Sequence, residues 1–370
     1  MPTLTVSHQE SLANILSQKS NTLPNRFKAM FCLRTLNTDF ACEELCKVLN
    51  ISSKNTSELL EHELAYILGQ MMGVRDEHFL DSQKISEIKS RKSWNLVREN
   101  LESTLLDTNR NSIVRHEAGE ALGAMLSVES LEILQRLSNP DNEKFPEVVD
   151  TCRLAVGRIT FYQNLVEKAD RGLKNTSLPI LNAFSSVDPA PPKNLLDHSG
   201  AKISTENLIK NAAIGLLDQN KNIFQRYQCM FELRNEICSG NLKNHHNLIK
   251  TAVDSINQAL HCTSSALLRH EIGYVIGQIL SLGEEELGKD NIENICDSLE
   301  KSVRNNDEHG MVRHESAMAF GEIDNEKSRS LMKEFSNENV KSDILRDSCV
   351  VALNMVEDTD EWLGQQFEVC

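Results

Sequence analysis

Apolar residues recur along the chain with the spacing of one face of an α-helix. Around the first histidine-rich segment they fall at helical intervals of three and four residues, at Leu59, Leu60, Leu64, Ile67 and Leu68. Few segments show the strict alternation of a half-buried β-strand. The pattern predicts an all-α chain of eight helical hairpins, at about 8–36, 39–72, 93–126, 129–160, 205–235, 244–281, 290–322 and 326–356.

The two parts of the chain repeat each other. NRFKAMFCLR at 25–34 recurs as QRYQCMFELR at 225–234, and Asp150-Thr-Cys recurs as Asp347-Ser-Cys. Helix pairs that repeat every 30 to 50 residues or so are typical of an α-solenoid of the HEAT type. We therefore predict an α-solenoid of about eight HEAT-type hairpins in two pseudo-symmetric halves. The predicted halves are residues 1–160 and 205–370.

Two segments break the helical pattern. The connection between the halves, residues 161–204, contains VDPAPP, whose prolines exclude a helix. We expect this stretch to run extended across the surface. Residues 75–92 form a second irregular segment, an apparent insertion after the first histidine-rich helix.

Composition narrows the function classes. The net charge of −15 argues against nucleic acid, which binds to basic faces. The same charge suits a partner that carries positive charge. No apolar run approaches the roughly 18 residues that a membrane span needs.

The sequence favours the cytoplasm. The first residues, MPTLTVSHQES, lack the basic patch and apolar stretch of a signal peptide. The ten cysteines include no Cys-x-x-Cys pair, so we expect reduced, mostly buried thiols.

Four His-Glu pairs stand at equivalent points of the repeats. The histidines are His62, His116, His270 and His314, and each is followed directly by a glutamate. None of the other seven of the eleven histidines precedes a glutamate. A single pair would be an ordinary surface or hydrogen-bonded histidine. Four in one register favour a metal site, although copies made by duplication are not independent.

Each histidine is followed on its own helix face by small residues. Three residues later stand Ala65, Gly119, Gly273 and Ala317, and seven residues later stand Gly69, Gly123, Gly277 and Gly321. A glycine inside a helix costs about 1 kcal/mol relative to alanine, so the stripe needs a reason. Close helix approach is one reason and room for a cofactor or substrate is another. The metal-binding chemistry of the pairs favours the second.

Imidazole together with carboxylate binds iron, manganese or zinc. The motifs contain no cysteine, which argues against a structural zinc site. Because each half supplies two histidines, we expect one metal per half and a two-metal site where the halves meet. Mixed histidine and carboxylate ligands with open positions suit a non-haem di-iron centre that activates O2.

The chain resembles the deoxyhypusine hydroxylase family. The resemblance rests on the four His-Glu motifs, RHEAGEALGA at 115–124, RYQCMFELRN at 226–235 and SVDPAPP at 186–192. It implies two HEAT-repeat halves that hold two iron ions and use O2. The implied reaction hydroxylates deoxyhypusine, a modified lysine of eukaryotic translation initiation factor 5A, and gives hypusine.

The resemblance also implies roles for individual residues. The implied iron ligands are His62, His116 and Glu117 in the first half, and His270, His314 and Glu315 in the second. The implied substrate-binding residues are Glu63 and Glu271. Glu120 follows the family pattern, but its counterpart is Met318, so any supporting role of this carboxylate is not duplicated.

Two tyrosines share a helix face with a histidine. Tyr66 and Tyr274 each stand four residues after one. We expect them near the metal, as hydrogen-bond donors to its ligands or as walls of the substrate pocket. The alternative is a pair of core tyrosines.

The predicted partner is the deoxyhypusine-bearing initiation factor, whose basic character suits an acidic enzyme. The sequence does not identify the external electron donor, and we expect a monomer. The alternative functions are a HEAT-repeat bilin lyase and a non-catalytic scaffold. Iron content discriminates them from a di-iron hydroxylase.

Overall fold

The computed structural model describes residues 6–50, 57–171, 184, 186–191, 203–240, 242, 245–262 and 264–357. These residues form helices and connecting turns and contain no strand. The helices are α1 Val6–Ser17, α2 Leu23–Leu36, α3 Asp39–Leu49, α4 Glu58–Met72, α5 Ser82–Lys89, α6 Trp94–Leu106, α7 Ser112–Ala124, α8 Leu131–Leu137, α9 Pro146–Asp170, α10 Thr205–Leu217, α11 Ile223–Cys238, α12 His246–Cys262, α13 Ala266–Leu280, α14 Gly283–Leu287, α15 Lys289–Arg304, α16 Gly310–Phe320, α17 Glu326–Phe335 and α18 Asp343–Glu357.

The eight predicted hairpins are confirmed. Sixteen of these helices form antiparallel pairs in the order predicted, and α5 and α14 are short additions between pairs. Polar N-cap residues begin many of the helices. The side chain of Thr22 accepts a hydrogen bond from the backbone of α2, and Ser204 does the same for α10. Such caps satisfy backbone donors that a helix start leaves unpaired.

The second helix of every hairpin belongs to an inner ring. Within the halves α4 packs on α7 and α7 on α9, while α13 packs on α16 and α16 on α18. Between the halves α9 contacts α11 and α13, and α18 contacts α2 and α4. The solenoid therefore closes on itself, with α2, α4, α7, α9, α11, α13, α16 and α18 around the centre.

Equivalent hydrogen bonds close the ring at its two junctions. Ser57, the N-cap of α4, donates from its hydroxyl to Asp347 of α18 over 2.6 Å. Ser265, the N-cap of α13, donates to Asp150 of α9 over 3.0 Å. The two aspartates belong to the duplicated Asp-Thr-Cys and Asp-Ser-Cys motifs. The internal symmetry of the sequence is thus expressed at the contacts between the halves.

In the first half, the glycines seven residues after each histidine bring inner helices together. A Cβ added at Gly69 would lie 2.6 Å from the Cβ of Ala121, and one at Gly123 would lie 2.9 Å from the Cα of Ala155. At these two positions close helix approach is the reason for glycine, and the prediction of room for a ligand is wrong. In the second half Gly277 and Gly321 also line a cavity.

The prediction that the proline-rich stretch crosses the surface is wrong. Residues 186–191 are buried between the halves. Val187 exchanges backbone hydrogen bonds with the side chain of Gln70, and Asp188 forms an ion pair with Arg234. Prolines exclude a helix, but they do not decide whether an extended segment is buried. Pro192 lies outside the described residues.

Two further boundaries differ from the prediction. Helix α9 continues to Asp170, so residues 161–170 of the predicted connection are helical. The segment 75–92 is not irregular, because it contains a 3-10 turn at Asp76–His78 and helix α5. We propose that the two halves remain the units of the fold, with all of α9 in the first.

No helix among the described residues has both the length and the apolar character to cross a membrane. The nine cysteines within the described part of the chain all carry free thiols.

Candidate metal centre

Each of the four histidines lies on an inner helix. His62 is on α4, His116 on α7, His270 on α13 and His314 on α16. All four are buried, and the ring centroids of neighbouring pairs lie 5.1 to 5.9 Å apart. The close packing of α4 on α7 and of α13 on α16 makes this convergence geometrically feasible. Histidines from both halves meet in one cluster.

One carboxylate of each half lies between the two histidines of that half. The Oε2 atom of Glu117 is 3.2 Å from Nε2 of His62 and 3.9 Å from Nε2 of His116. The Oε2 atom of Glu315 is 3.5 Å from Nε2 of His270 and 3.3 Å from Nε2 of His314. The structure therefore brings together the two sets of His, His and Glu expected from the sequence.

The donor atoms of the cluster suit metal ions. All four Nε2 atoms are buried without a hydrogen bond of acceptable geometry, although buried polar atoms are normally satisfied. Their neighbours are carboxylate oxygens, and imidazole with carboxylate is a donor set that iron accepts. The residues present therefore fit a pair of iron ions.

The two sets are not separate sites. Potential ligand atoms come within 4.8 Å of one another in two groups, of which His62, His116 and Glu117 form the first. The second group combines His62 with His270 and His314. His62 thus lies beside the histidines of the other half, which places both sets in one shared centre.

Two hydroxyls orient the second histidine of each half. The Oγ of Ser348 is 2.8 Å from Nδ1 of His314 and donates its own hydrogen to the carbonyl of Ile344. Ser348 must therefore accept from an Nδ1–H, which leaves the Nε2 lone pair of His314 free for a metal. Thr151 lies equivalently, 3.5 Å from Nδ1 of His116.

Sequence reasoning missed these two hydroxyls as parts of the site. The signal was present, because Thr151 and Ser348 are the central residues of the duplicated Asp-Thr-Cys and Asp-Ser-Cys motifs. Nothing in the sequence placed those motifs next to the histidines, since they lie on the following inner helices.

Burial and the neighbouring carboxylates set the protonation of the cluster. Burial lowers the pKa of His62, but Glu117 and Glu63 outweigh it and raise that pKa to about 10. Burial and the neighbouring imidazoles hold the pKa of His116, His270 and His314 well below the usual range. Three imidazoles are therefore neutral, the state that ligates a metal.

The cluster opens into a cavity of about 430 Å³, a size typical of small-ligand sites. Glu63, Glu120 and Glu271 line it. Burial, followed by neighbouring carboxylates, raises the pKa of Glu120 and of Glu271 well above the usual range. A cationic group entering this cavity would stabilise their ionised forms.

The two tyrosines lie in the cavity wall. The hydroxyls of Tyr66 and Tyr274 are 3.0 Å apart and share a hydrogen bond that joins the halves. Burial raises the pKa of Tyr274 to about 12 and that of Tyr66 well above its usual range, so both hydroxyls keep their hydrogens at neutral pH. The buried connection adds Ser186, Val187 and Asp188 to the wall.

Comparison with known proteins identifies relatives over nearly the whole chain. The deoxyhypusine hydroxylase of Danio rerio is 33% identical, with 94% of this chain and 91% of the relative covered. The human deoxyhypusine hydroxylase is 31% identical, with 96% and 93% covered. Deoxyhypusine hydroxylase-B of Oryza sativa subsp. japonica is 33% identical, with 96% and 94% covered. No family model matches the chain.

A solved structure agrees with these relatives. The structure of human deoxyhypusine hydroxylase in complex with glycerol matches with a TM-score of 0.69 and 30% identity. The match covers 95% of this chain and 96% of that one. The resemblance seen in the sequence motifs is therefore confirmed, and the chain belongs to the deoxyhypusine hydroxylase family.

Proposed function

We propose that the protein hydroxylates the deoxyhypusine residue of eukaryotic translation initiation factor 5A and so forms hypusine. The proposed reaction uses two iron ions and O2. The observation that carries the proposal is the buried cluster of four histidines at the junction of the two halves, each with an Nε2 that makes no hydrogen bond of acceptable geometry and lies beside a carboxylate. The names of the relatives supply the substrate. No observation favours a bilin lyase or a scaffold.

His62, His116 and Glu117 would hold one iron ion, and His270, His314 and Glu315 the other. The hydroxyls of Thr151 and Ser348 orient the imidazoles of His116 and His314 by contacting their Nδ1 atoms. Iron bound there would supply the activation of O2 that hydroxylation of a C–H bond requires. The burial of the histidines keeps bulk water away from this reaction.

Glu63 and Glu271 would bind the ammonium groups of the substrate arm. Both line the cavity beside the histidines, and the Oε1 of Glu63 is 3.3 Å from Nδ1 of His62. A carboxylate shielded from water binds an ammonium with a charge-assisted hydrogen bond, which orients the flexible arm. The tyrosine pair and Glu120 complete the wall around that arm.

The protein would act as a monomer in the cytoplasm and would receive electrons from a separate donor. The reaction needs this donor because O2 contributes only one of its oxygen atoms to the product. The free thiols of the described cysteines accord with a reducing compartment.

The direct test is incubation of the purified, iron-loaded protein with deoxyhypusine-bearing initiation factor 5A, O2 and a chemical reductant. We expect the factor to gain the mass of one oxygen atom at the modified lysine. The matched control omits O2 and should give no gain. An iron-loaded protein that leaves the factor unchanged in the presence of O2 and reductant would refute the proposal.

A further inference from the structure

The internal symmetry of the cavity is broken at one pair of residues. Arg34 on α2 and Arg234 on α11 end the duplicated segments NRFKAMFCLR and QRYQCMFELR, so they are equivalent in sequence. Arg234 is 0% exposed and does not reach the cavity, whereas Arg34 is half-buried and lines it. Phe31 lines the cavity beside Arg34, while its equivalent, Phe231, is buried.

The proline-rich stretch accounts for the difference. Asp188 accepts hydrogen bonds from Arg234 and forms an ion pair that is buried on both sides. Gln70 and Gln278, equivalent residues of the two halves, bind Val187 and Ser186 of the same stretch. This end of the cavity is therefore covered by the connection between the halves.

Arg34 and Met355 line a part of the cavity wall that no hydrogen bond joins to the described residues of the connection. Met355 on α18 lines the cavity there and is 48% exposed, and α18 packs against α2, which carries Arg34. The exposed Met355 makes this side of the cavity accessible to a substrate attached to a protein. Its lysine stem and backbone then lie at Arg34, while the tip of the arm reaches the histidines.

Arg34 is the unusual group in this position. Its guanidinium lies 5.9 Å from the ring centroid of Tyr66, and no described residue gives it a hydrogen bond or an ion pair. A cavity for a cationic arm gains nothing from an additional cation, unless that cation meets an oxygen acceptor on the substrate. The backbone carbonyls beside the modified lysine are such acceptors, and a guanidinium presents several donors to them at once.

We propose that Arg34 selects protein-bound deoxyhypusine by binding the backbone carbonyl oxygens next to the modified lysine and by repelling free polyamines. This inference rests on the proposed function. A free polyamine satisfies the carboxylates of the cavity equally well. It places an ammonium where the backbone would lie, and that ammonium faces the Arg34 charge across a short distance.

Three probes separate these effects when binding to the iron-loaded protein is measured by calorimetry without O2. The first is a deoxyhypusine residue with an acetyl cap and a methylamide cap, which offers two carbonyls. The second is the same arm ending in a methyl group. The third is the same arm ending in a free ammonium.

Arg34→Met removes the charge and keeps the length. We expect the variant to bind the capped residue about tenfold more weakly, because one charge-assisted hydrogen bond is lost. Its affinity for the methyl-ended arm should be unchanged. The ammonium-ended arm should bind more tightly, by about threefold or more. Arg34→Lys, which keeps the positive charge, should bind the ammonium-ended arm as weakly as the unchanged protein does. Arg136→Met, at an exposed residue of α8 outside the cavity, should match the unchanged protein on all three probes.

Failure of the proposed function and failure of this inference give different results. An unchanged protein that binds none of the three arms would overturn the proposed function, and the inference with it. An unchanged protein that binds the capped residue, with an Arg34→Met variant that binds all three probes as before, would overturn the inference alone. If the Arg34→Met variant bound all three probes equally more weakly, Arg34 would have a structural role, and the inference would also be overturned.

Discussion

At the scale of single residues, the two glutamates of each half differ in what their carboxylates reach. Glu117 and Glu315 lie between two Nε2 atoms, the position of a shared ligand. Glu63 contacts the Nδ1 side of its neighbouring histidine, and both Glu63 and Glu271 line the cavity. Adjacent helix residues point about 100° apart, so a histidine and the glutamate after it can serve different ligands.

This geometry predicts separate effects of the four glutamates. Glu63→Gln and Glu271→Gln should retain iron but bind the deoxyhypusine-bearing protein about ten- to a hundredfold more weakly, because each loses a shielded carboxylate–ammonium bond. Glu117→Gln and Glu315→Gln should lose iron. Iron content and substrate affinity, measured on the same four proteins, check the prediction. Equal loss of iron from all four would show that every glutamate is a ligand.

Protonation predicts a pH dependence of metal binding. In the metal-free protein the pKa of His62 is about 10, because the neighbouring carboxylates outweigh burial, and burial raises the pKa of Glu315 to about 8. Both groups hold a proton at neutral pH, and the proposed ligation of a metal requires both to lose it. Affinity for Fe(II) should therefore rise as the pH increases from about 6 to 8, with protons released on binding.

An anaerobic competition titration against a coloured chelator measures this effect at several pH values, after correction for the protonation of the chelator. An affinity that stays constant over the range would contradict the assigned protonation states.

At the scale of helices, the approach of α4 to α7 depends on Gly69. Gly69→Ala would place a Cβ 2.7 Å from the backbone of Ala121, so the two helices must separate. We expect a loss of stability of about 1–3 kcal/mol, as for other overpacked sites, together with weaker iron binding because His62 moves away from His116. Urea unfolding and iron content measure the two effects.

The second half offers a matched control. A Cβ at Gly277, the equivalent of Gly69, would lie 3.5 Å from the Cα of Ala319, which is ordinary contact. Gly277→Ala should keep iron and stability, because alanine also favours the helix. Equal effects of the two substitutions would show that helix approach does not position the histidines.

Helix periodicity explains why the hairpins were predictable and some other elements were not. Apolar spacing reports which face of a helix is buried, and so it located the sixteen helices of the eight hairpins. The short α5 has only one buried residue, Ile85, and therefore gives little apolar signal. Arg158 donates to the backbone carbonyl of Asp188 over 2.6 Å, and Arg234 and Gln70 also bind the proline-rich stretch. These partners are distant in sequence, so no local pattern could reveal that the stretch is buried.

At the scale of the whole molecule, the centre exists only because the solenoid closes. Each half contributes two histidines and the glutamate that lies between them, and the junctions hold the two sets face to face. The duplication in the sequence predicted the contents of both halves. A site where the halves meet followed from the duplication, but the contacts that close the ring, such as that of Ser57 with Asp347, did not, because these residues are distant in sequence.

The buried connection should contribute strongly to the stability of this arrangement. Asp188→Ala leaves the buried Arg234 without its carboxylate, and breaking such a pair costs about 3–5 kcal/mol. Asp343→Ala breaks an ion pair with Arg346 whose aspartate is 76% exposed, and should cost at most about 1 kcal/mol. Free energies of unfolding from urea titrations compare the two. Similar small losses would contradict a structural role of the connection.

The iron content of the purified protein, loaded with Fe(II) without O2, tests the shared two-metal centre most directly. We predict two iron ions per chain, and fewer in His116→Ala and His314→Ala, which should retain their helical content because alanine favours helices. Saturation of the unchanged protein by a single ion, or a preference for zinc over iron, would contradict the account.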